Sequence, residues 1–295
     1  MPWLIDSEFI VTKEMLKELR EISSDFGFDS TEIASAEDAR LIEHYFFVDI
    51  RSALGDNRAR VGAFHNPNGR ILQAFADNRN GGTVVVDKAF SVFLLRLALF
   101  SVNYSFSDDN PFLRKELEFL MASRNSGLYM RGLDLNFGDY LRQHRNLYGH
   151  GNALWRAFLA FIICHEIAHH RLGHLEGRAK SSQEFSADKL AWFYFRRLVG
   201  QGANTVELRL TPNLLSAPAI LFRCEVFMDR LARFPKDDSS HPTFEARLQR
   251  TLTNARRHWG SEANSFFEQI DGSLSFLEWQ LVSCSKGDQA SREVI

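Results

Sequence analysis

The chain has 295 residues, 45% of them hydrophobic and 26 of them phenylalanine, enough apolar mass for one large domain or two. A formal net charge of -2, with basic residues scattered along the chain, gives no electrostatic case for nucleic acid or an anionic membrane surface. Three cysteines, Cys164, Cys224 and Cys284, form no CxxC pair, which argues against a disulfide framework or a thiolate metal site and fits a reducing compartment.

In chain order, the opening MPWLIDSEFIVTKE lacks the basic start and apolar core of a signal peptide, and no uncharged apolar run reaches spanning length. The expectation is a cytoplasmic chain with no membrane span. Residues 12–23 fit a helix, and Ser35 with Asp38 opens a second one reaching about Leu54, with Leu41, Ile42, Tyr45, Phe46 and Ile50 at helical spacing. His44 and His65 have no metal-ligand spacing to anything and read as ordinary side chains. Between Arg60 and Asp87 the pattern changes to short β-like runs at 61–64, 70–75 and 83–86, separated by turn-forming stretches, and predicts a three-stranded meander. The run Thr83-Val84-Val85-Val86 reads either as a sheet edge, to which an extended peptide adds as a strand, or as a plain core strand. Residues 89–102 read as a buried helix carrying Arg96, and Asn110-Pro111 begins another through about Ala122. Residues 123–150 are mixed and Gly-punctuated, with His144 and His150 in position to approach a site from a loop.

Residues 153–173, ALWRAFLAFIICHEIAHHRLG, organise the rest. Only Arg156 is charged between Ala153 and Cys164, so this is a buried central helix, and it ends in His165-Glu166-Ile167-Ala168-His169. Two histidines four apart share a helical face and can converge on one metal ion, and the intervening glutamate can reach a water held there. A shuffled chain of this composition would contain H-E-x-x-H roughly 0.02 times, so the motif is not an accident of ten histidines. Zinc in a hydrolase takes three protein ligands and leaves one position open, so His165 and His169 need a partner. The HExxHxxGxxH spacing fails by one residue, since Gly173 and His174 fall one place off. His170 and His174 face about 100° away from the first pair and read as exposed or supporting histidines. Glu184 is the third candidate. With Gly177 closing the turn and Ser181 opening the next helix, Glu184 lies near that helix's start and Asp188 one turn on along the same face. Ala187 and Ala191 keep that face small enough for close approach. Two readings of Glu184 stand: a zinc ligand, with Asp188 orienting a ligand imidazole, or the last residue of a capping box Ser181-Ser182-Gln183-Glu184 that satisfies backbone amides.

HEIAHHRLGH followed by Glu184-Phe185-Ser186-Ala187-Asp188 resembles the gluzincin metallopeptidases, especially the HtpX and CAAX prenyl peptidase group. Ser240-His241-Pro242 followed by Arg247 matches that group's downstream His-Pro and Arg. The chain departs from the group in lacking membrane helices and in the short interval from His169 to Glu184. In size and motif position it is also similar to the bacterial phage-exclusion Lit peptidases. The resemblance implies an α+β fold, mostly helical and zincin-like, with a small β-sheet beside the HExxH helix. It also implies a catalytic role for His241 at the cleft; the alternative is a helix start with Pro242 inside the first turn. Arg247 reads as a structural ion-pair partner. The expected organisation is a helical and β scaffold over 1–80, a catalytic core over 81–205 and a helical region over 206–295 that contributes His241. Helices around 243–257 and 262–281 act as a lid or buttress, and the tail from Ser285 reads as disordered.

The expected function is zinc-dependent endopeptidase action on a protein or peptide, with Zn2+ on His165, His169 and Glu184, and Glu166 as general base. The competing classes are a catalytically silent, zinc-stabilised interaction module and a zinc hydrolase acting on a non-peptide amide. An intact Glu166 separates the first from an enzyme, because a closed structural site has no use for a general base.

Overall fold

A computed structural model describes residues 60–64, 74–77, 83–106, 113, 116–117, 120–121, 145–174, 180–200, 210–231 and 241–292. The helices expected over 12–23 and 35–54, together with His44, His65, His144 and Gly177, lie outside the described residues.

Three short strands, β1 (Arg60–Phe64), β2 (Ala74–Asp77) and β3 (Thr83–Asp87), form one sheet in the order β1-β3-β2. β1 runs parallel to β3 and β2 antiparallel to it. This corrects the expected meander, in which β1 and β2 would pair as a hairpin. It also corrects the sheet-edge reading of residues 83–86: β3 is bonded on both sides, so its backbone groups are already used and no peptide can add there. Val84 and Val86 are fully buried, as a core strand requires.

The α+β class is corrected as well. Among the described residues the strands are five, four and five residues long, whereas the helices reach 32, and every residue of the candidate site comes from a helix or from the chain beside one. The described architecture is helical because long apolar helices, and not sheet faces, supply the buried surface.

The helices are α1 (Lys88–Phe106), α2 (Arg145–Arg171), α3 (Ser181–Gly200), α4 (Ala217–Leu231), α5 (Phe244–Ala255) and α6 (Ser261–Arg292), with 3-10 turns at Pro212–Ser216 and Arg256–His258. α2 lies at the centre: Leu154, Phe158, Phe161, Ile163 and Ile167 are buried, and their burial is spread around the helix as its apolar sequence requires. α2 starts eight residues earlier than the apolar run suggested, so His150 is an exposed helical residue and not part of a loop. At about 1.5 Å per residue it lies roughly 22 Å from His165 along the axis, too far to serve the motif.

α1 packs along one side of α2, and Gly151 lets it come close. A Cβ at that position would meet Leu99 Cδ2 at 2.5 Å and Leu99 Cα at 3.1 Å. Gly151→Ala should therefore cost about 1–3 kcal/mol by overpacking, despite alanine's better helix propensity, and urea unfolding checks the sign. Arg96, inside the apolar α1, is buried but paired in a fork with Glu116, Nε to Oε1 at 2.5 Å and Nη2 to Oε2 at 2.6 Å.

α4 is a second buried helix, with every residue from Ala217 to Met228 buried. Its one deeply buried cation, Arg223, faces α6, where Asp271 accepts from Nε at 2.5 Å and Ser275 from Nη2 at 2.9 Å. α6 buries Ala263, Phe267, Ile270, Leu274 and Leu277, one stripe at helical spacing. It continues to Arg292, which corrects the disordered tail expected from Ser285 over residues 285–292, where no proline interrupts the helix. Cys164 and Cys224 are free and buried, and burial pushes the Cys224 thiol up to about 12. At that value it stays protonated and unreactive. No helix among the described residues is long and apolar enough to cross a membrane.

Candidate metal centre

The C-terminal end of α2 and the N-terminal end of α3 meet where the polar residues of both sequences were expected. His165 and His169 stand one turn apart on α2 and bring their Nε2 atoms to 3.0 Å from one another. From α3, Glu184 offers one oxygen to each ring, Oε2 at 3.3 Å from His165 Nε2 and Oε1 at 3.5 Å from His169 Nε2. The three residues form a group able to hold a metal ion. Ala187 and Ala191, both fully buried, line the face of α3 that lets the two helices approach.

The start of α3 bears on the two readings of Glu184. Only half of a capping box forms, and one residue earlier: Gln183 Oε1 accepts from the Lys180 backbone N–H at 2.9 Å, while the backbone N–H of Gln183 donates to Lys180 O at 2.8 Å. Lys180 is thus the N-cap and Gln183 the reciprocating side chain. The carboxylate of Glu184 turns instead toward the two imidazoles.

Behind His165 lies a second set of charges. Asp188 Oδ1 is 2.9 Å from His165 Nδ1, a close contact off the axis of the ring N–H. Arg247 of α5 grips Asp188 with both arms of its guanidinium, Nε to Oδ2 at 2.9 Å and Nη2 to Oδ1 at 2.6 Å, and its flat face lies 4.6 Å from the Phe222 ring centre. Arg247 Nη1 is also 3.9 Å from Glu184 Oε2, so one cation neutralises two buried carboxylates. His241 stands at the open side, half exposed, with Nε2 3.8 Å from Glu184 Oε1. Pro242 is not in the first turn of a helix, which corrects that alternative: Thr243 is the N-cap, accepting from the Ala246 N–H at 3.2 Å, and α5 begins at Phe244.

His174 was missed. A straight helical wheel turns it away from His169, but α2 stops at Arg171 and the chain reverses. The N–H of His174 bonds to His169 O at 3.0 Å and that of Gly173 to His170 O at 3.2 Å, a Schellman closure with Gly173 in the left-handed region at φ 67°. Gly173 is the glycine that ends α2. The reversal brings His174 Nδ1 to 3.2 Å from His169 Nδ1. The signal available in the sequence was the glycine itself, at the position where a helix wheel ceases to apply.

The ionisation of the cluster follows from this packing. Burial lowers the affinity of His165 for a proton, but the Asp188 and Glu184 carboxylates outweigh it and lift the ring to about 9. Burial, together with the neighbouring His165, lowers His169 to about 4. Burial raises Glu184, but the His165 contact and Arg247 overcome it and bring the carboxyl down to about 2. Asp188 is held well below the usual carboxylate range, the Arg247 guanidinium and His165 overriding its burial. Glu166 goes the other way: burial pushes it up to about 7 against the opposing pull of His165. Without a cation, one proton on His165 thus holds together two rings and a carboxylate whose lone pairs all point inward.

The donor set fits zinc. Bonds of about 2.0–2.1 Å at tetrahedral angles place ligand atoms about 3.3 Å apart. Here the two Nε2 atoms are 3.0 Å apart and Glu184 Oε2 is 3.3 Å from His165 Nε2, close to that edge, and one ligand atom from each of the three residues lies within 4.8 Å of the others. No curated protein and no solved structure matches the chain. Residues 139–266, which carry His165, Glu166, His169, Glu184, Asp188, His241 and Arg247, match the model of the family described as Peptidase U49, so the cluster lies in a segment similar to a peptidase family.

Proposed function

We propose that the protein is a zinc-dependent endopeptidase acting on a protein or peptide substrate. The observation that carries this reading is the convergence of His165 Nε2 and His169 Nε2, 3.0 Å apart, on the Glu184 carboxylate, which turns one oxygen to each ring at 3.3 and 3.5 Å, directly beside Glu166 in sequence. The similarity to a peptidase family over the same residues supports it, and so does the Lit-like character of the sequence.

In this reading His165, His169 and Glu184 hold the ion, and a zinc ion bound there supplies Lewis acidity to the scissile carbonyl and to the attacking water. Glu166, poised near neutrality, takes the proton of that water and returns it to the leaving amine. Asp188, clamped by Arg247, keeps the His165 ring in one orientation and favours the tautomer with its proton on Nδ1. His241, 3.8 Å from Glu184 at the open side, would donate to the oxygen of the tetrahedral species that forms on the substrate carbonyl.

Metal content by mass spectrometry, together with casein digestion by wild type and by Glu166→Gln, tests the reading. Zinc at one per chain with wild-type cleavage and a silent variant is the expected result; stoichiometric zinc with no difference between the two leaves only a zinc-stabilised module. Sequencing the new N-termini produced in a proteome then defines the substrate class.

The ionisation makes a separate prediction. His165 is protonated below about 9 in the metal-free protein, so zinc must displace that proton, and binding at pH 7 should release about one proton from His165, with a further fraction from Glu166, which sits at about 7 before the dication lowers it. Calorimetric titration in buffers of different ionisation enthalpy measures it. The sign for stability is fixed by the same shift: the folded value lies above the unfolded value of about 6.5, so the contribution of His165 to the metal-free fold is full below that pH and is lost as pH rises through about 9.

A further inference from the structure

We infer that His174 is a positioning residue for the metal site: its Nδ1 accepts the Nδ1 proton of His169 and so fixes the tautomer and ring angle with which His169 presents Nε2 to the ion. The inference rests on the zinc reading above and deepens it.

The geometry argues for it in three steps. His169 turns Nε2 inward, toward His165 Nε2 at 3.0 Å and Glu184 Oε1 at 3.5 Å, so Nε2 is the atom left to ligate and Nδ1 must carry the ring proton. That proton points at His174 Nδ1, 3.2 Å away, with the two ring planes at 69° and their centres 5.2 Å apart. An acceptor at that place leaves His174 with its own proton on Nε2, directed away from the site. Finally, the backbone holds His174 there without help from the site, since the Schellman bonds from His174 and Gly173 and the left-handed Gly173 fix its Cα.

The two zinc histidines are then oriented by different chemistry. His165 leans on a carboxylate, clamped by an arginine, while His169 leans on a neutral imidazole. A neutral acceptor orients a ligand while adding no negative charge to it, which keeps the ion more electrophilic than two carboxylate partners would.

The test measures zinc affinity by chelator competition in the full chain, for wild type, His174→Ala and His174→Asn. Asparagine places its Oδ1 where the histidine Nδ1 stands, so it keeps the acceptor and removes the ring. We expect His174→Ala to bind zinc about 10- to 100-fold more weakly and His174→Asn to recover most of the loss. Thermal unfolding of the metal-free variants should match the wild type, because His174 is only part-buried and its backbone bonds persist. Equal zinc affinity in wild type and His174→Ala overturns the inference, as does an equal loss in the alanine and asparagine variants. A wild type that does not bind zinc at all refutes the underlying metal assignment instead, so the two failures are distinguishable.

Discussion

Glu166→Gln is expected to abolish proteolysis while leaving the zinc content at one per chain. The amide keeps the size of the side chain and removes the base. Proton transfer by a positioned side chain is worth about 10²- to 10⁴-fold, so residual cleavage should fall by at least that factor. Metal affinity should change little, because the three donor atoms belong to His165, His169 and Glu184. The pH profile carries the same information. In the metal-free protein burial holds Glu166 at about 7, and a bound dication lowers it further, so wild-type activity should rise with pH on a limb at or below about 7 as the carboxylate forms. Measured kcat/KM between pH 5 and 8 checks this; a profile flat across that range removes Glu166 from the role of base.

Arg247→Met should be the most damaging single change to the metal-free fold. It takes away the cation that pairs with Asp188 at 2.6 and 2.9 Å, lies 3.9 Å from Glu184 and stacks on Phe222, while an unbranched apolar stem is kept. Both carboxylates are buried, and removing one partner of a buried ion pair costs about 3–5 kcal/mol because the remaining charge has nowhere to go, with the lost stacking of the guanidinium on Phe222 added to it. Zinc brings positive charge to the same cluster, so the loss should be smaller in zinc than in a chelator. Urea unfolding under both conditions measures the difference. A penalty below about 1 kcal/mol in the chelator, or one that zinc leaves unchanged, would show that Arg247 does not hold the cluster together.

The buttress expected from the C-terminal region acquires a concrete form here. α5 is tied to α3 through Arg247 on Asp188 and through Arg250, whose guanidinium lies 3.8 Å over the Phe185 ring. α5 and α6 are tied to α4 through Arg230, which reaches Glu245 at 2.9 Å and Glu278 at 3.0 Å. The exposed Arg230 pairs contribute little individually, whereas the buried Arg247 pair sets the position of α5 against the site. Position 247 is therefore where the C-terminal helices become part of the centre.

By itself the sequence determined which helix carries the two histidines and that they share one of its faces. A run of apolar residues ending in His165-Glu166-Ile167-Ala168-His169 can bury itself only as a helix, and the 3.6-residue period then puts both imidazoles on one face whatever the rest of the chain does. The alternation of small and carboxylate residues at Glu184, Ala187, Asp188 and Ala191 likewise marked the face of α3 that approaches α2. These were legible because they are local, governed by periodicity within one helix. The strand order, the one-residue shift that gave the cap of α3 to Gln183, the reversal at Gly173 that set His174 against His169, and the clamp of Arg247 on Asp188 were decided only by tertiary structure. Each depends on where a regular element stops or on which distant element lies against it. Those outcomes follow from the competition of many packing and hydrogen-bonding terms of about 1 kcal/mol each, which no short window of residues contains.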